Sequence, residues 1–540
     1  MRRSVVAPRC AFTGIQKPTA SSKLAWLASL PLLLCFPLAF GVWAIWEGFS
    51  MTMSSLTVLD PVQRILRDTE AISPVVVSDE DPLSAGTTFY PDSVFEQDWT
   101  RRIKVEEILH RSELHSGCVT HKESVVPWTY GFTGNNDSAN HQLLINQSDS
   151  DLLAKLRECP DIDIFLPGSI RGFGYCEDAT SYTYFLKTRM LPRWVFDIRF
   201  EDVSRNRSVT YHELCPNTPM LFFNHYWEGV PDAPDWPADK PLWLMPNAEM
   251  YELDSEHYWR ADVVLCKTAV CTRYLRKWYF QEGNPRDTRV IYTRHTTTNL
   301  ALTVQDGLGK TIEVPAKNFS DVAFLHIVGT SIQKGTRQVL DCWLSRPDFP
   351  TLDIYVDKDL YDSAFNDYDS RVNDSQNIRV HTGRLSPQEI GKVIAQGRYF
   401  LCPSLMEGYG HYINQARSSN AFIFTTNVAP MNELITPSSG TLITARTGAY
   451  GEQFLGGVSP KHHALRNVSG LVADFSSTAL CEAVSTTLAN STLSQLQSHA
   501  NRAHQQYYFD TVFFAHKMQA LRDFSRAQSH PRYNHHYMRS

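Results

Sequence analysis

The chain has 540 residues, 43% hydrophobic and 20% charged, an ordinary globular composition long enough for two or three domains. Its formal net charge of -6 implies no strongly basic face, which argues against a nucleic-acid partner.

The first element is an uncharged run, Leu24 to Trp46, bounded by Lys23 and Glu47. As a helix it spans roughly 34 Å at about 1.5 Å per residue, enough for a bilayer core of about 30 Å. Pro31, Pro37 and Gly41 are tolerated in such helices, and Trp26, Trp43 and Trp46 suit the two interfaces. The preceding flank carries Arg2, Arg3, Arg9, Lys17 and Lys23 with no acid, so it stays cytosolic and the remainder crosses. A cleaved signal peptide is the competing reading, disfavoured by the long flank and the length of the run. The expectation is a single-pass type II membrane protein of the Golgi or ER with its bulk in the lumen. Asn-x-Ser/Thr acceptors at Asn136, Asn146, Asn206, Asn318, Asn373, Asn467 and Asn490 agree with that side of the membrane.

Nine cysteines follow the anchor, and an oxidising lumen allows disulfides among the earlier ones; the odd number leaves at least one unpaired within the chain. Cys266, Cys342 and Cys402 lie in apolar runs and read as buried thiols. No Cys-x-x-Cys pair is present, so no zinc site is expected.

Residues 47–100, rich in Ser, Thr and Pro with acids at 79–81, read as a stem. From residue 160 short apolar runs recur: 162–167, 194–198, 220–223, 242–245, 263–266 and 290–292, with a helix over 269–280. Residues 300–320 read as a connector. A second series follows at 322–328, 352–356, 378–381, 399–402 and 422–425, with helices over 336–344, 387–396 and 412–419 between them. Ser386-Pro387-Gln388-Glu389 is a helix start, with a Ser cap, Pro in the first turn and Glu at the third position. Unbroken apolar strands alternating with helices predict parallel sheets covered on both faces. The expected architecture is α/β: two Rossmann-like doubly wound lobes facing a cleft, preceded by one transmembrane helix. Its divisions are a cytosolic tail (1–23), signal anchor (24–46), stem (47–100), first lobe (101–315), second lobe (316–498) and C-terminal helix and tail (499–540).

Ligands of open parallel sheets bind beyond the carboxyl ends of the strands. In the first lobe this rule nominates Gly168, His225, Asn247, Glu249, Lys267 and His295 as acceptor or cleft residues, and Gly174 ends the Gly-rich loop that Gly168 opens. In the second, Gly329-Thr330-Ser331 leads through Lys334-Gly335 into a helix. Free backbone N–H groups and a cation at such a turn suit a diphosphate. Further on, Ser404 precedes Glu407-Gly408-Tyr409-Gly410-His411, with Gln415 eight positions after Glu407. Glu407 is placed to point into the cleft, and the two glycines permit close backbone approach to a ligand. Three Asp-x-Asp triplets (Asp161/Asp163, Asp357/Asp359, Asp367/Asp369) have a spacing that can hold a metal, yet they flank a strand residue or sit in polar loops and read as solvated carboxylates. No Gly-x-Ser-x-Gly elbow is present, and Gly172-Phe173-Gly174 is only half of a dinucleotide fingerprint, which counts against a hydrolase and an epimerase.

Residues 320–475 resemble the retaining glycosyltransferases of family 4 (glycosyl transferases group 1), whose fold is called GT-B. Glu407-Gly408-Tyr409-Gly410 matches the family's Glu-Gly-Phe-Gly, Lys334-Gly335 matches its upstream Lys-Gly, and Pro430 to Ile435 resembles its later segment. The chain departs at Gln415, where a second Glu is expected, and in lacking the upstream Arg, for which Arg337 or Arg384 could substitute. The resemblance implies transfer of a hexosyl-type sugar, with retention, from a nucleotide sugar to a glycan, lipid or protein acceptor, without a metal cofactor. It further implies that Lys334 holds the donor diphosphate and Glu407 the sugar hydroxyls. Gln415 takes the ribose, and the leaving phosphate takes the acceptor's proton. A catalytically degenerate protein that binds a glycan or a partner is the alternative that Gln415 motivates.

Overall fold

The computed structural model describes residues 90–132, 137–249, 252–307, 309, 316–448, 463–466 and 471–529; the predicted anchor, most of the stem, Asn136 and Asn467 lie outside them. Among the described residues no helix is long and apolar enough to cross a membrane. The described residues belong to one compact unit.

The first lobe contains β1 (Val126–Pro127), β2 (Asp163–Phe165) and β3 (Arg189–Leu191), followed by a separate antiparallel ribbon of β4 (Phe200–Asp202) and β5 (Arg207–Val209). It continues with β6 (Met220–Phe223), β7 (Leu242–Met245), β8 (Val263–Cys266) and β9 (Arg289–Tyr292). Seven of these form one sheet in the order β1-β3-β2-β6-β7-β8-β9, parallel except where β1 pairs with β3. Strands β6, β7 and β8 are buried at every position because helices cover both faces, which is why they appear in the sequence as unbroken apolar runs.

The second lobe holds β10 (Ala323–Gly329), β11 (Thr351–Val356), β12 (Ile378–Thr382), β13 (Tyr399–Cys402), β14 (Phe422–Thr426) and β15 (Thr441–Ile443). They form one all-parallel sheet in the order β12-β11-β10-β13-β14-β15. In lobe numbering this is the doubly wound order 3-2-1-4-5-6, whose connections diverge on either side of β10 and β13 and leave a crevice at their carboxyl ends. A small ribbon of β16 (Arg446–Gly448) and β17 (Val472–Asp474) follows.

The lobes share their last element, the 37-residue helix Leu493–Ser529. Leu496 and Ala500 at its start belong to the core of the second lobe, while Phe514, Met518 and Leu521 join the core of the first around Phe223 and Trp243. The C-terminal helix, expected from 499, begins at Leu493. The end of the predicted stem is folded onto it: Tyr90, Val94 and Trp99 are buried, and the Trp99 backbone N–H donates to Gln505 at 2.7 Å.

Several expectations are corrected. Residues 194–198 form a short helix, Trp194–Asp197, and the strand lies upstream at β3. Arg189 breaks the apolar run there, yet it is buried because Asp163 on the neighbouring strand binds it at 3.0 and 3.2 Å. The connector contains a helix, Leu300–Gly307. Cys266 and Cys342 are not thiols: among the described residues the disulfides are Cys118–Cys176, Cys159–Cys215, Cys266–Cys271 and Cys342–Cys481, and Cys402 alone is a buried thiol. The pairing of Cys342 links two helices far apart in sequence, a proximity that no local pattern announces.

Candidate functional site at the lobe interface

The crevice of the second sheet brings together the two loops singled out above. After β10, Ser331 caps a 3-10 turn, Ile332–Lys334, and Gly335 follows at φ +68°. A side chain at Gly335 would run into the Pro403 carbonyl, so the turn after β10 packs directly on the loop after β13. Leu405 N–H donates to the Gln333 carbonyl at 2.8 Å and fixes the same pairing. Behind it, buried His326 bridges the Leu401 carbonyl at 2.8 Å and the Thr336 hydroxyl at 3.0 Å. Burial pushes this imidazole down to about 4, which keeps it neutral.

The result is an ion pair between Lys334 and Glu407, both largely buried. Ser404 donates to the same Glu407 oxygen and also meets the Tyr412 hydroxyl. The Lys334 ammonium sits 4.0 Å from the centre of the Tyr412 ring, a cation–π contact that a partly dry site strengthens. Gly410, at φ +102°, opens the helix His411–Ser418. Gln415 lies half-buried on that helix, while Gly329 and Thr330 are exposed at the rim. Of the two suggested substitutes for the missing Arg, Arg337 binds Asp367 at 3.0 Å and Arg384 binds Asp357 at 3.2 Å, both on exposed side chains.

Across the seam the first lobe presents a charged cluster. Lys267 donates to both oxygens of Asp178, at 3.0 and 2.9 Å, and to the Asn247 side-chain oxygen at 2.8 Å. His295 of the first lobe and His411 of the second each place Nε2 against the same Asp178 oxygen, at 3.0 and 3.1 Å. Burial raises the affinity of Asp178 for a proton, but Lys267 and His411 overcome it and hold the carboxyl well below the usual carboxylate range. Burial pushes His295 down to about 4. Burial also pushes Glu249 up to about 7, with Lys267 opposing and Glu407 and Asp178 adding to the rise.

At Gly408 the two lobes pack closely against one another. A Cβ there would lie 2.5 and 2.9 Å from the two Glu249 oxygens and 2.9 Å from the Asn247 oxygen. Tyr409 donates to the His295 carbonyl at 2.6 Å. Glu433 reaches over to accept from the first two backbone N–H groups of the helix Ala269–Glu282, at 2.7 and 2.9 Å, a carboxylate on the positive end of a helix. Deeper still, Asp510 on the shared helix binds Arg294 of the first lobe and Arg417 of the second.

Of the residues nominated from sequence, Lys334, Gly335, Ser404, Glu407, Gly408, Tyr409, Gly410 and His411 thus meet Asn247, Glu249, Lys267 and His295 at one seam. Gly168 and Gly174 stand on a 3-10 turn and a helix after β2, Gly168 close to Glu123. His225 turns to Glu252, at 3.7 Å, and to the Tyr226 ring. The Asp-x-Asp residues serve structure: Asp161 binds Arg522 at 3.1 Å, Asp163 binds Arg189, and Asp357 caps the helix Lys358–Ala364. Asn206, Asn318, Asn373 and Asn490 are exposed, whereas Asn146 is half-buried and accepts from Ser124.

Sequence reasoning missed Asp178, Tyr412 and Glu433. For Asp178 one signal was available: Glu177-Asp178 is the acidic pair of an otherwise uncharged helix, Phe173–Leu186, and charge buried there needs a partner. Among the described residues the group with metal-ligand spacing is Asp178, His295 and His411. Both Asp178 oxygens already bind the Lys267 ammonium, so a further cation would face a positive charge beside it.

Fold and site together define a two-lobed α/β protein with parallel, doubly wound sheets whose carboxyl edges face a shared, charged seam. No protein-family model matches the sequence, and no curated protein does. Among solved structures the chain is similar to the pneumococcal O-GlcNAc transferase GtfA in complex with UDP and GlcNAc, at 12% identity over 57% of each chain with a TM-score of 0.39. It is similar to sucrose-phosphate synthase from Thermosynechococcus elongatus at 12% identity, over 68% of this chain and 99% of that one, with a TM-score of 0.45. It is also similar to HepE from Anabaena in complex with UDP-glucose at 15% identity, over 56% and 77%, with a TM-score of 0.38. The chain spans less than two thirds of the length of GtfA.

Proposed function

We propose that this protein is a GT-B glycosyltransferase. It moves a hexosyl-type sugar, with retention, from a nucleotide sugar to a glycan, lipid or protein acceptor, as a type II membrane protein acting in the lumen of the Golgi or ER and needing no metal. The observation that carries the reading is the Lys334–Glu407 pair at the crevice of the second sheet, opposite Asn247, Glu249 and Lys267 of the first. A donor diphosphate entering the crevice meets the Lys334 ammonium, which stabilises the charge that grows on the leaving group. Glu407, released from Lys334, accepts hydrogen bonds from sugar hydroxyls. The first-lobe groups are then placed for the acceptor. Within the seam the two side chains neutralise one another, so neither charge is buried alone.

The test is a screen of UDP-, GDP-, ADP- and CMP-sugars against the purified protein, reading released nucleotide. Release with at least one donor, dependent on Lys334, supports the reading. Gln415, in place of the expected carboxylate, favours a second one, a binding module without turnover. Nucleotide-sugar binding with no release from any donor would select it.

A further inference from the structure

The reading above leaves Tyr412 without a task, although both members of the Lys334–Glu407 pair depend on it. Tyr412 is the second residue of the helix His411–Ser418. Side chains in a first helical turn lie back over the chain that precedes them, which brings this ring to the loop after β13. Its face stands 4.0 Å from the Lys334 ammonium, and its hydroxyl meets that of buried Ser404. Ser404 donates to the same Glu407 oxygen that Lys334 binds. A serine hydroxyl carries one proton. Because Ser404 gives that proton to Glu407, it accepts from Tyr412, and the order runs from the Tyr412 O–H to the Ser404 O–H to the Glu407 carboxylate. Burial, with Cys402 and Glu407 beside it, pushes the Tyr412 phenol well above its ordinary value, so the hydroxyl keeps the proton it donates.

Resting on the function proposed above, we infer that Tyr412 is a positioning residue of the donor site, its ring holding Lys334 for the diphosphate and its hydroxyl holding Glu407 for the sugar through Ser404. The ion pair has to open when a donor enters, and each partner then keeps one neighbour. The ammonium stays over the ring, which attracts it without competing for it as a second carboxylate would. Glu407 stays hydrogen-bonded to Ser404, whose proton Tyr412 orders, and presents its second oxygen to sugar hydroxyls. Tyr412 thus acts through Lys334 and Ser404 rather than on the reacting atoms, and the leaving phosphate remains the group that takes the acceptor's proton. The ring serves one half of the donor and the hydroxyl the other, so substitution can separate the two.

The experiment uses the full chain in detergent, with calorimetry on UDP and GDP and with released nucleotide measured on UDP-glucose, UDP-N-acetylglucosamine and GDP-mannose. Tyr412→Phe removes the hydroxyl alone; it should bind nucleotide within about twofold of wild type and lose about tenfold in kcat. Tyr412→Leu removes the ring as well and should also weaken nucleotide binding by about 3- to 30-fold, the worth of a cation–π contact. That affinity loss should vanish in a Lys334→Ala background, and the kcat loss of Tyr412→Phe should vanish in a Ser404→Ala background. A merely structural role gives losses that multiply instead. Wild-type kcat in Tyr412→Phe, wild-type nucleotide affinity in Tyr412→Leu, or losses that multiply with those of Lys334→Ala or Ser404→Ala would each overturn the assignment. Where Tyr412→Leu folds poorly, Tyr412→Phe and Ser404→Ala, alone and combined, still decide it. If the wild type turns over none of these donors, the glycosyltransferase reading fails first and this assignment falls with it; if it turns over a donor and the losses multiply, only this assignment falls.

Discussion

Asp510→Asn tests how the two lobes are held together. Asp510 sits on the helix Leu493–Ser529, which runs from one core to the other, and is 2% exposed. Its carboxylate binds Arg294, receives the Arg417 guanidinium at 2.8 Å and accepts from the Tyr90 hydroxyl at 2.6 Å. Arg417 also binds Asn414 at 2.7 Å, and Arg294 stands 4.8 to 5.8 Å from the rings of Tyr90, Tyr292, Phe509 and Phe513. Two buried guanidinium groups therefore share one carboxylate, with aromatic faces supplying part of the remaining compensation. Asparagine keeps the shape but removes the negative charge and turns an amide donor toward one cation. Removing one partner of a buried ion pair costs about 3–5 kcal/mol, because the other charge stays dry and unpaired. Urea unfolding followed by circular dichroism should show the midpoint falling by that loss at an unchanged slope. Tyr90→Phe, which deletes one hydroxyl and leaves both charges paired, should cost only about 1 kcal/mol. A loss below about 1 kcal/mol for Asp510→Asn would mean that solvent reaches the two arginines, and the argument from their burial would fail.

Three further outcomes follow from the seam. Lys334→Ala should weaken nucleoside diphosphate binding by roughly 10²-fold, the worth of a charge-assisted contact of about 3 kcal/mol, and Glu407→Gln should reduce turnover more than nucleotide affinity; calorimetry showing wild-type affinity in Lys334→Ala would remove that residue from the donor site. Gly408→Ala drives a methyl group against the side-chain ends of Glu249 and Asn247 in the other lobe, which must shift to admit it and so disturb the seam. Its transfer rate should fall at least tenfold with little change in nucleotide affinity, and unaltered transfer would show that the observed contact is not made during turnover. Glu249 gives a stability signature independent of any donor. Its folded value near 7 lies above the ordinary 4.5, so the folded protein binds this proton more tightly than the unfolded chain does. Its ionisation therefore costs nothing well below pH 4.5, and the cost grows until the pH passes 7, reaching on the order of 3 kcal/mol at about 1.4 kcal/mol per unit. The stability of Glu249→Gln relative to wild type should rise by that order between pH 4.5 and 8, and a pH-independent difference would show that the carboxyl group is not perturbed by burial.

The strands of both sheets were legible because a parallel sheet covered on both faces leaves nothing but apolar residues in its strands, and runs such as Leu242 to Met245 say so directly. The strand ends followed, and with them Lys334, Glu407, Asn247, Glu249 and Lys267. Strand β3 was hidden because Arg189 is a buried charge whose partner, Asp163, lies on another strand; a charge in a run reads as exposure until its counter-ion is known. Asp178 was hidden for the same reason on a larger scale, since it sits mid-helix and its partner His411 is 233 residues away.

These unread residues share a physical property: each is a buried charge whose meaning lies in its partner. Such pairs are poor sources of net stability, since well-packed apolar groups of similar size often do as well or better. What they supply is selectivity among arrangements. With Asp178, Glu433 and Asp510 each reaching a partner across the lobes, a rotation or slip of one lobe on the other leaves several charges dry and uncompensated together. The apolar cores built around Trp343 and Trp243 make each lobe fold, but apolar contact is non-directional and would accept many dockings. The charged seam is the part of the molecule that selects the docking in which the carboxyl edges of the two sheets, and the groups they carry, face one another.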